Sequence, residues 1–206
     1  MIIMSIKNEK TINSYEKYAK EYVNQKNADS NDDVIKQKHA MLSNCLKGVP
    51  KSGRLFEIGS GSGEDAAYIQ SLGYSNLTVS DAADSFINIL RKKGFSPIKF
   101  NLLKDDFPEK YDFIHCWAVL MHFTKKEAGE SIKKIYNALI DGGKVLFCVK
   151  TSKDKAEGWK RLSEKDGEIY FSFWSKDELE LFLNQVGFKK IEIWGYGDWI
   201  DCLAER

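Results

Sequence analysis

Several kinds of feature are missing from this sequence, and each absence closes off a class of protein. Its four cysteines, Cys45, Cys116, Cys148 and Cys202, lie far apart and form no C-x-x-C pair, so no zinc site of the usual spacing is present and no metal is expected. Cys116 and Cys148 sit inside apolar runs and read as small core residues. That usage fits a reducing cytoplasm better than secretion. The opening M-I-I-M-S-I-K-N-E-K lacks the apolar core of a signal peptide, and no uninterrupted apolar run approaches membrane-spanning length. A cytoplasmic location and no membrane partner are therefore expected. Charge of one sign is also missing. Lys and Arg number 31 against 30 for Asp and Glu, a formal net charge of +1, so the totals ask for no nucleic acid. There is no internal repeat, no low-complexity tract, no serine–histidine–acid set and no carboxylate pair with an evident catalytic logic.

What is present is one domain's worth of chain, 206 residues, organised around Leu55 to Glu64, L-F-E-I-G-S-G-S-G-E. An apolar strand runs into glycines at 59, 61 and 63, and Glu64-Asp65 then opens a helical run, A-A-Y-I. Glycine permits a sharp turn and lets a ligand lie against bare backbone. The free N–H groups of the first helical turn can then bind ligand oxygens. A dinucleotide loop would read Gly-x-Gly-x-x-Gly. Here the third fingerprint position is Glu64, which would repel a pyrophosphate. A ligand without phosphate fits better, and Glu57 just before the loop suits an ammonium group.

Along the chain, residues 11–26 read as a helix capped by Asn13 or Ser14, with Tyr15, Tyr18 and Tyr22 on one face. That stripe either packs on the domain or closes over a ligand. A polar linker over 27–32 leads to a second helix, from Asp33, in which His39 reads as a surface residue; Gly48 and Pro50 stop it. After the central strand and its helix, Leu77-Thr78-Val79 reads as a strand with Asp81 close behind. A carboxylate at that end of a strand is a natural partner for the two O–H donors of a ribose, or else a helix cap. A helix over about 83–93 follows, then a short strand, 97–100, ending at Asn101-Leu102. Tyr111 to Trp117 reads as a fourth strand continuing into A-V-L-M-H-F, and Thr124-Lys125-Lys126-Glu127 is a capping box opening a helix. Asp141-Gly142-Gly143 gives a hairpin-like turn signal before a fifth strand, 144–149. Residues 151–168 read as a long polar loop. Ser175-Lys176-Asp177-Glu178 opens a last helix, and two strands, 188–194 and 199–204, close the chain.

Taken in order, the glycine loop, the acid at 81, Y-D-F-I-H-C with V-L-M-H-F, and L-I-D-G-G-K-V-L-F resemble the class I S-adenosylmethionine-dependent methyltransferases. The resemblance covers residues 52–150 by motif and 169–206 by layout. It implies an α/β fold with a Rossmann-like core, a seven-stranded mostly parallel sheet in the order 3-2-1-4-5-7-6 with the last strand antiparallel, and helices on both faces. It implies a single domain, 1–206, with residues 1–50 as a helical lid segment on a 52–206 core. The cofactor would be S-adenosylmethionine. It would meet Glu57, Gly59, Ser60, Gly61 and Gly63 in the loop, Asp81 and Ala82 at the ribose, and Asn101 and Leu102 at the adenine. Cys116, Trp117 and Tyr18 complete the implied set. The family often has Asp where this chain has Asn101, whose carbonyl can still accept a hydrogen bond.

A methyl donor that is already a strong electrophile needs mainly positioning and exclusion of water, which accounts for the missing catalytic set. Trp117 and His122, on the turn after the fourth strand, are the candidate catalytic residues. Trp117 would pack on the cofactor or offer its ring to a cation. His122 would accept a proton, or is a polar residue beside the Thr124 cap. Trp117, Phe123, Trp159, Tyr170, Phe171, Phe173 and Trp174 are divided between core and an apolar acceptor pocket. Lys150, Lys153, Lys155, Lys160, Arg161 and Lys165 would suit phosphate, but Asp154, Glu157, Glu164 and Asp166 interleave with them. A small-molecule acceptor is the reading, acting on a monomer or weak homodimer. A tRNA-type nucleic-acid acceptor and a non-catalytic S-adenosylmethionine-binding domain are the alternatives; a nicotinamide dehydrogenase is disfavoured by Glu64.

Overall fold

The computed structural model describes residues 6–28, 32–152, 157–163 and 167–206. Its elements run α1 (Ile6–Ala28), α2 (Asp32–Cys45), β1 (Leu55–Ile58), α3 (Glu64–Ser71), β2 (Leu77–Asp81), α4 (Asp84–Lys92), β3 (Ile98–Lys99) and β4 (Tyr111–Trp117). A 3-10 turn (Leu120–His122), α5 (Lys125–Ala138), β5 (Leu139–Lys150), β6 (Gly158–Ser163), β7 (Gly167–Phe171), α6 (Lys176–Val186), β8 (Lys189–Tyr196) and β9 (Trp199–Glu205) follow. Seven strands form one sheet in the order β3-β2-β1-β4-β5-β9-β8, with β9 antiparallel to both neighbours. This is the expected topology, its last two strands renumbered because β6 and β7 form a separate hairpin.

Alternate residues of the central strands feed two cores. Phe56, Ile114, Phe147 and Cys202 face α5 and α6, with Ile132, Ile135, Leu179 and Leu183. Leu55, Phe113 and Leu146 face α2 and α3, with Leu42, Cys45, Leu46 and Ile69. Strands buried on both faces read as apolar runs rather than as an alternation. Among the described residues no helix is long and apolar enough to cross a membrane.

Four local readings change in three dimensions. The first helix starts at Ile6, because 6–13 contains no breaker; Ser14 lies inside it and bonds outward to the Glu168 carbonyl at 2.7 Å. Helix α1 also takes in the start of the expected linker, to Ala28, and residues 29–31 lie outside the described set. Asp141-Gly142-Gly143 is no hairpin but an irregularity within β5, where pairing with β4 steps from Tyr111↔Leu139 to Phe113↔Lys144. A Cβ on Gly143 would lie 2.9 Å from the carbonyls of Ile140 and Tyr111, so the tight path excludes a side chain. The stretch 151–168, expected as a long polar loop, holds β6 and the start of β7, which form a hairpin with Trp159 opposite Tyr170. Its partner is α1, through Tyr170 N–H to Thr11 Oγ1 (3.0 Å) and the Lys10–Glu168 ion pair. His39 is half-buried, stacked on Tyr68 at 3.7 Å between ring centroids.

Both capping boxes form. Thr124 accepts from Glu127 N–H while Glu127 returns a bond to the Thr124 N–H, and Ser175 with Glu178 repeats the pattern. Lys125 reaches Glu178 at 3.0 Å, joining the two helix starts. Thr124→Ala is expected to lower the unfolding free energy by about 1 kcal/mol in urea titration with an unchanged slope. An unaltered midpoint would show that the packing of α5, and not its cap, sets that end of the helix.

Candidate active site

The strand ends fix the site. At its carboxyl end β1 turns through Gly59–Gly63 into α3. Gly59 has φ +68°, and a Cβ there would meet Val119 at 2.7 Å. A Cβ on Gly63 would meet Leu90 at 2.7 Å, so this glycine admits α4 packing and is absent from the cavity wall. Gly61 lies between them with nothing within 4 Å of the place a Cβ would occupy. A cavity of about 300 Å³ opens over these turns, covered by α1. Glu57, Gly59, Ser60, Gly61, Asp81 and Ala82 lie on its wall, as do Asn101, Leu102, Trp117 and His122. The sequence-derived set is thus brought together except for Gly63, Cys116 and Tyr18.

The last two have simple reasons. Cys116 alternates with Trp117 and points into the α5–α6 core, where burial raises its thiol far above the usual range. Tyr15 and Tyr22 are seven residues apart and share a helix face, while Tyr18 is rotated from Tyr15 by about 60°. Tyr15 and Tyr22 line the cavity beside Phe86, and Tyr18 packs on Gly167 of the hairpin.

Asp81 is at once a wall residue and a brace. Its carboxylate accepts from Gly61 N–H at 3.0 Å and Ala83 N–H at 2.9 Å, tying the glycine loop to the start of α4. Burial pushes its pKa up to about 6 against those backbone donors, and Glu57 adds to the rise. Asn101 accepts from Leu103 N–H (3.1 Å) and donates to Asn8 of α1 (2.9 Å).

A polar seam lies on the α2–α3 face. Parallel register places Glu57 beside His115, whose Nδ1 is 3.1 Å from Glu57 Oε1. Lys38 pairs with Asp65 at 2.7 Å and sits 4.6 Å above the Trp117 ring, so Trp117 does offer its face to a cation. Glu57 Oε2 and His115 Nε2 are buried without a hydrogen-bond partner. Glu57, Asp65 and His115 each bring a ligating atom within 4.8 Å of the others, a grouping no sequence spacing announced. Lys38 already holds Asp65 there, so a metal would have to compete with an ammonium.

At the other end of the wall, His122 Nδ1 lies 2.8 Å from the Tyr170 carbonyl and Nε2 lies 3.1 Å from the Tyr15 hydroxyl. A carbonyl only accepts, so Nδ1 carries the proton and Nε2 accepts from Tyr15. Burial lowers the His122 pKa to about 4, so the ring is neutral at ordinary pH. Ala118, the first residue past β4, takes φ 58° on the wall, a left-handed conformation that costs about 1–2 kcal/mol for a residue with a Cβ. Of the aromatics expected near the mouth, Trp117 and Phe123 line the cavity, and Trp174 is core, packed on Phe182. Trp159 and Tyr170 face each other across the hairpin, and Phe171 stacks with Phe173. Lys38, Asp65, Phe86 and Trp199 also line the cavity. They went unread because no spacing rule links them to the loop; only the helical stripe pointed towards Tyr15 and Tyr22.

No curated protein matches the chain in sequence. Solved structures share its fold at low identity. The DhpI complex with SAM and HEP superposes with a TM-score of 0.79 at 18% identity, covering 98% of this chain and 100% of that one. Burkholderia thailandensis 1,6-didemethyltoxoflavin-N1-methyltransferase, bound to 1,6-didemethyltoxoflavin and S-adenosylhomocysteine, gives 0.71 at 15%, covering 100% and 92%. The glycopeptide N-methyltransferase MtfA with S-adenosylhomocysteine gives 0.64 at 14%, covering 81% and 88%. Residues 31–193, from α2 into β8, match the methyltransferase domain model. With its glycine turn, its brace at Asp81 and its cavity inside that span apart from the α1 cover and Trp199, the chain belongs to the methyltransferase domain family.

Proposed function

We propose that the protein transfers a methyl group from S-adenosylmethionine to a small-molecule acceptor, as one domain in which α1 is a lid over a Rossmann-like core. The observation that carries this reading is the row of acceptor groups along the cavity. Glu57 Oε2, buried and unpartnered, suits the amino group of the cofactor. Asp81, with two oxygens on the wall, suits a ribose diol beside Ala82. The Asn101 carbonyl keeps a second lone pair for an adenine amino group next to Leu102. The bare backbone of Gly59, Ser60 and Gly61 suits close approach. When bound, the cofactor supplies an electrophilic methyl. The chain then has to orient it and exclude water, to which the partly aromatic cavity under α1 is suited.

A small acceptor is favoured over nucleic acid by where the basic residues sit. Lys150 lies over the Trp199 ring, Lys160 lies over Phe173, and Lys10 pairs with Glu168. Lys153, Lys155 and Lys165 lie outside the described residues. The toxoflavin and glycopeptide enzymes, similar in fold, are named for small acceptors. Calorimetry with S-adenosylmethionine, S-adenosylhomocysteine and NAD tests the donor. An acceptor panel including tRNA, read out as S-adenosylhomocysteine formed, tests the rest. Binding of NAD alone overturns the reading, turnover of tRNA replaces the acceptor class, and binding without any turnover makes this a binding domain.

Two outcomes follow from particular residues. Asp81→Asn is expected to weaken S-adenosylhomocysteine binding by about 1.5–3 kcal/mol, the worth of a charge-assisted bond. Ribose hydroxyls donate to the carboxylate form, and Asp81 loses its proton as pH rises through about 6, with Glu57 and Tyr15 facing it. Affinity should therefore rise between pH 5 and 7 in the wild type and lose that slope in Asp81→Asn; equal slopes would remove Asp81 from ribose binding. Amide exchange in α1 should slow on addition of S-adenosylhomocysteine, together with that of β7, because the two are bonded to each other. Exchange unaffected by ligand would leave α1 a packing element and no lid.

A further inference from the structure

Helix α1 is held to the domain by polar hooks in four neighbours. Asn8 receives Asn101; Thr11 and Ser14 bond the backbone of β7; Ser85 N–H and Oγ–H donate to the Glu16 carboxylate and carbonyl; and Tyr15 donates to His122. The last differs in kind. It ends a chain whose directions are all fixed: the Tyr170 carbonyl accepts from His122 Nδ1–H, and His122 Nε2 accepts from the Tyr15 hydroxyl. The chain joins the hairpin, the turn after β4 and α1, and both Tyr15 and His122 stand on the cavity wall. Burial, with Tyr22 and Asp81 nearby, holds the Tyr15 phenol far above its ordinary range, so it remains a donor. Apolar contact of Tyr15 with Tyr22 and Phe86 would pin the helix without any hydroxyl. A buried polar pair costs desolvation and gains its worth from direction.

We propose that Tyr15, acting through His122, is a positioning residue of the methyl-transfer site: the Tyr15–His122–Tyr170 chain bolts α1 shut over the cofactor and sets how long the cofactor stays. Tyr15 lies before the matched family region, which begins at residue 31, so the bolt joins the cover of the site to its core. Both ring nitrogens of His122 are engaged in this chain, which leaves the imidazole a link between the hairpin and α1. The inference rests on the donor assignment above, but the bolt itself is a property of the free protein and is tested there too.

The experiment compares wild type with Tyr15→Phe, His122→Gln and the double variant. Tyr15→Phe keeps the ring packing and removes only the hydroxyl. In the free protein, α1 amides of Tyr15→Phe should exchange about 5-fold faster or more, the worth of one net hydrogen bond, with the melting temperature lowered by no more than about 4 °C. Stopped-flow dissociation of S-adenosylhomocysteine should accelerate by a similar factor with little change in the association rate. The double variant should exchange about as fast as the faster of the two single variants, because both remove the same contact: the two effects must not multiply. Wild-type exchange and dissociation in Tyr15→Phe overturn the proposal, and so does multiplication of the two single effects. Faster exchange in a protein that binds no S-adenosylhomocysteine would leave the bolt standing and strike the donor assignment instead.

Discussion

The carboxylate of Asp81 is the point on which the site turns. It ends β2, faces the cavity, and accepts from Gly61 of the glycine loop and Ala83 at the start of α4. Two chain reversals that only the sheet brings together are thereby held at one distance. The burial that makes the brace rigid also raises the carboxylate's pKa to about 6, so the group that shapes the site titrates close to neutral pH. Gly59 and Gly63 let Val119 and Leu90 press against the loop from outside, closing the packing around the brace.

Around that brace the two faces of the sheet are treated differently. The α5–α6 face carries Phe56 and Ile58 of β1, Ile114 and Cys116 of β4 and Val145, Phe147 and Val149 of β5. The α2–α3 face carries Glu57, His115, Lys38 and Asp65 beside the cavity. Glu57 Oε2 and His115 Nε2 are unpaired there, a cost in free energy that the proposed cofactor amino group would offset at Glu57. The strained Ala118 stands on the same wall, where the chain leaves β4.

The cover is made on another principle. Helix α1 and the β6–β7 hairpin meet through side chain to backbone bonds and one surface ion pair, and α1 meets the core through polar hooks and a small aromatic cluster. Such contacts are individually weak and directional, which suits the lid role proposed for α1.

Local rules read the glycine turn, both capping boxes and the acid after β2 from sequence, because each depends on residues within one turn or one strand; the sheet order came from the resemblance to the methyltransferase family, not from any local signal. The same rules placed Asn101 and His122 at strand ends on the cavity. From the stripe on α1 they took Tyr18, whereas Tyr15 and Tyr22 line the cavity; that depended on how α1 is rotated against β7. They gave no sign of the Glu57–His115 pair, 58 residues apart, or the Tyr15–His122 bond, 107 apart. The hairpin at 158–171 was hidden for a like reason: its strands are polar on one side and find their partner in a helix at the other end of the chain. Periodicity and turn chemistry determined which elements form and in what order. Register between strands and the seating of α1, set by packing and by polar contacts between segments remote in sequence, decided which side chains meet in the site.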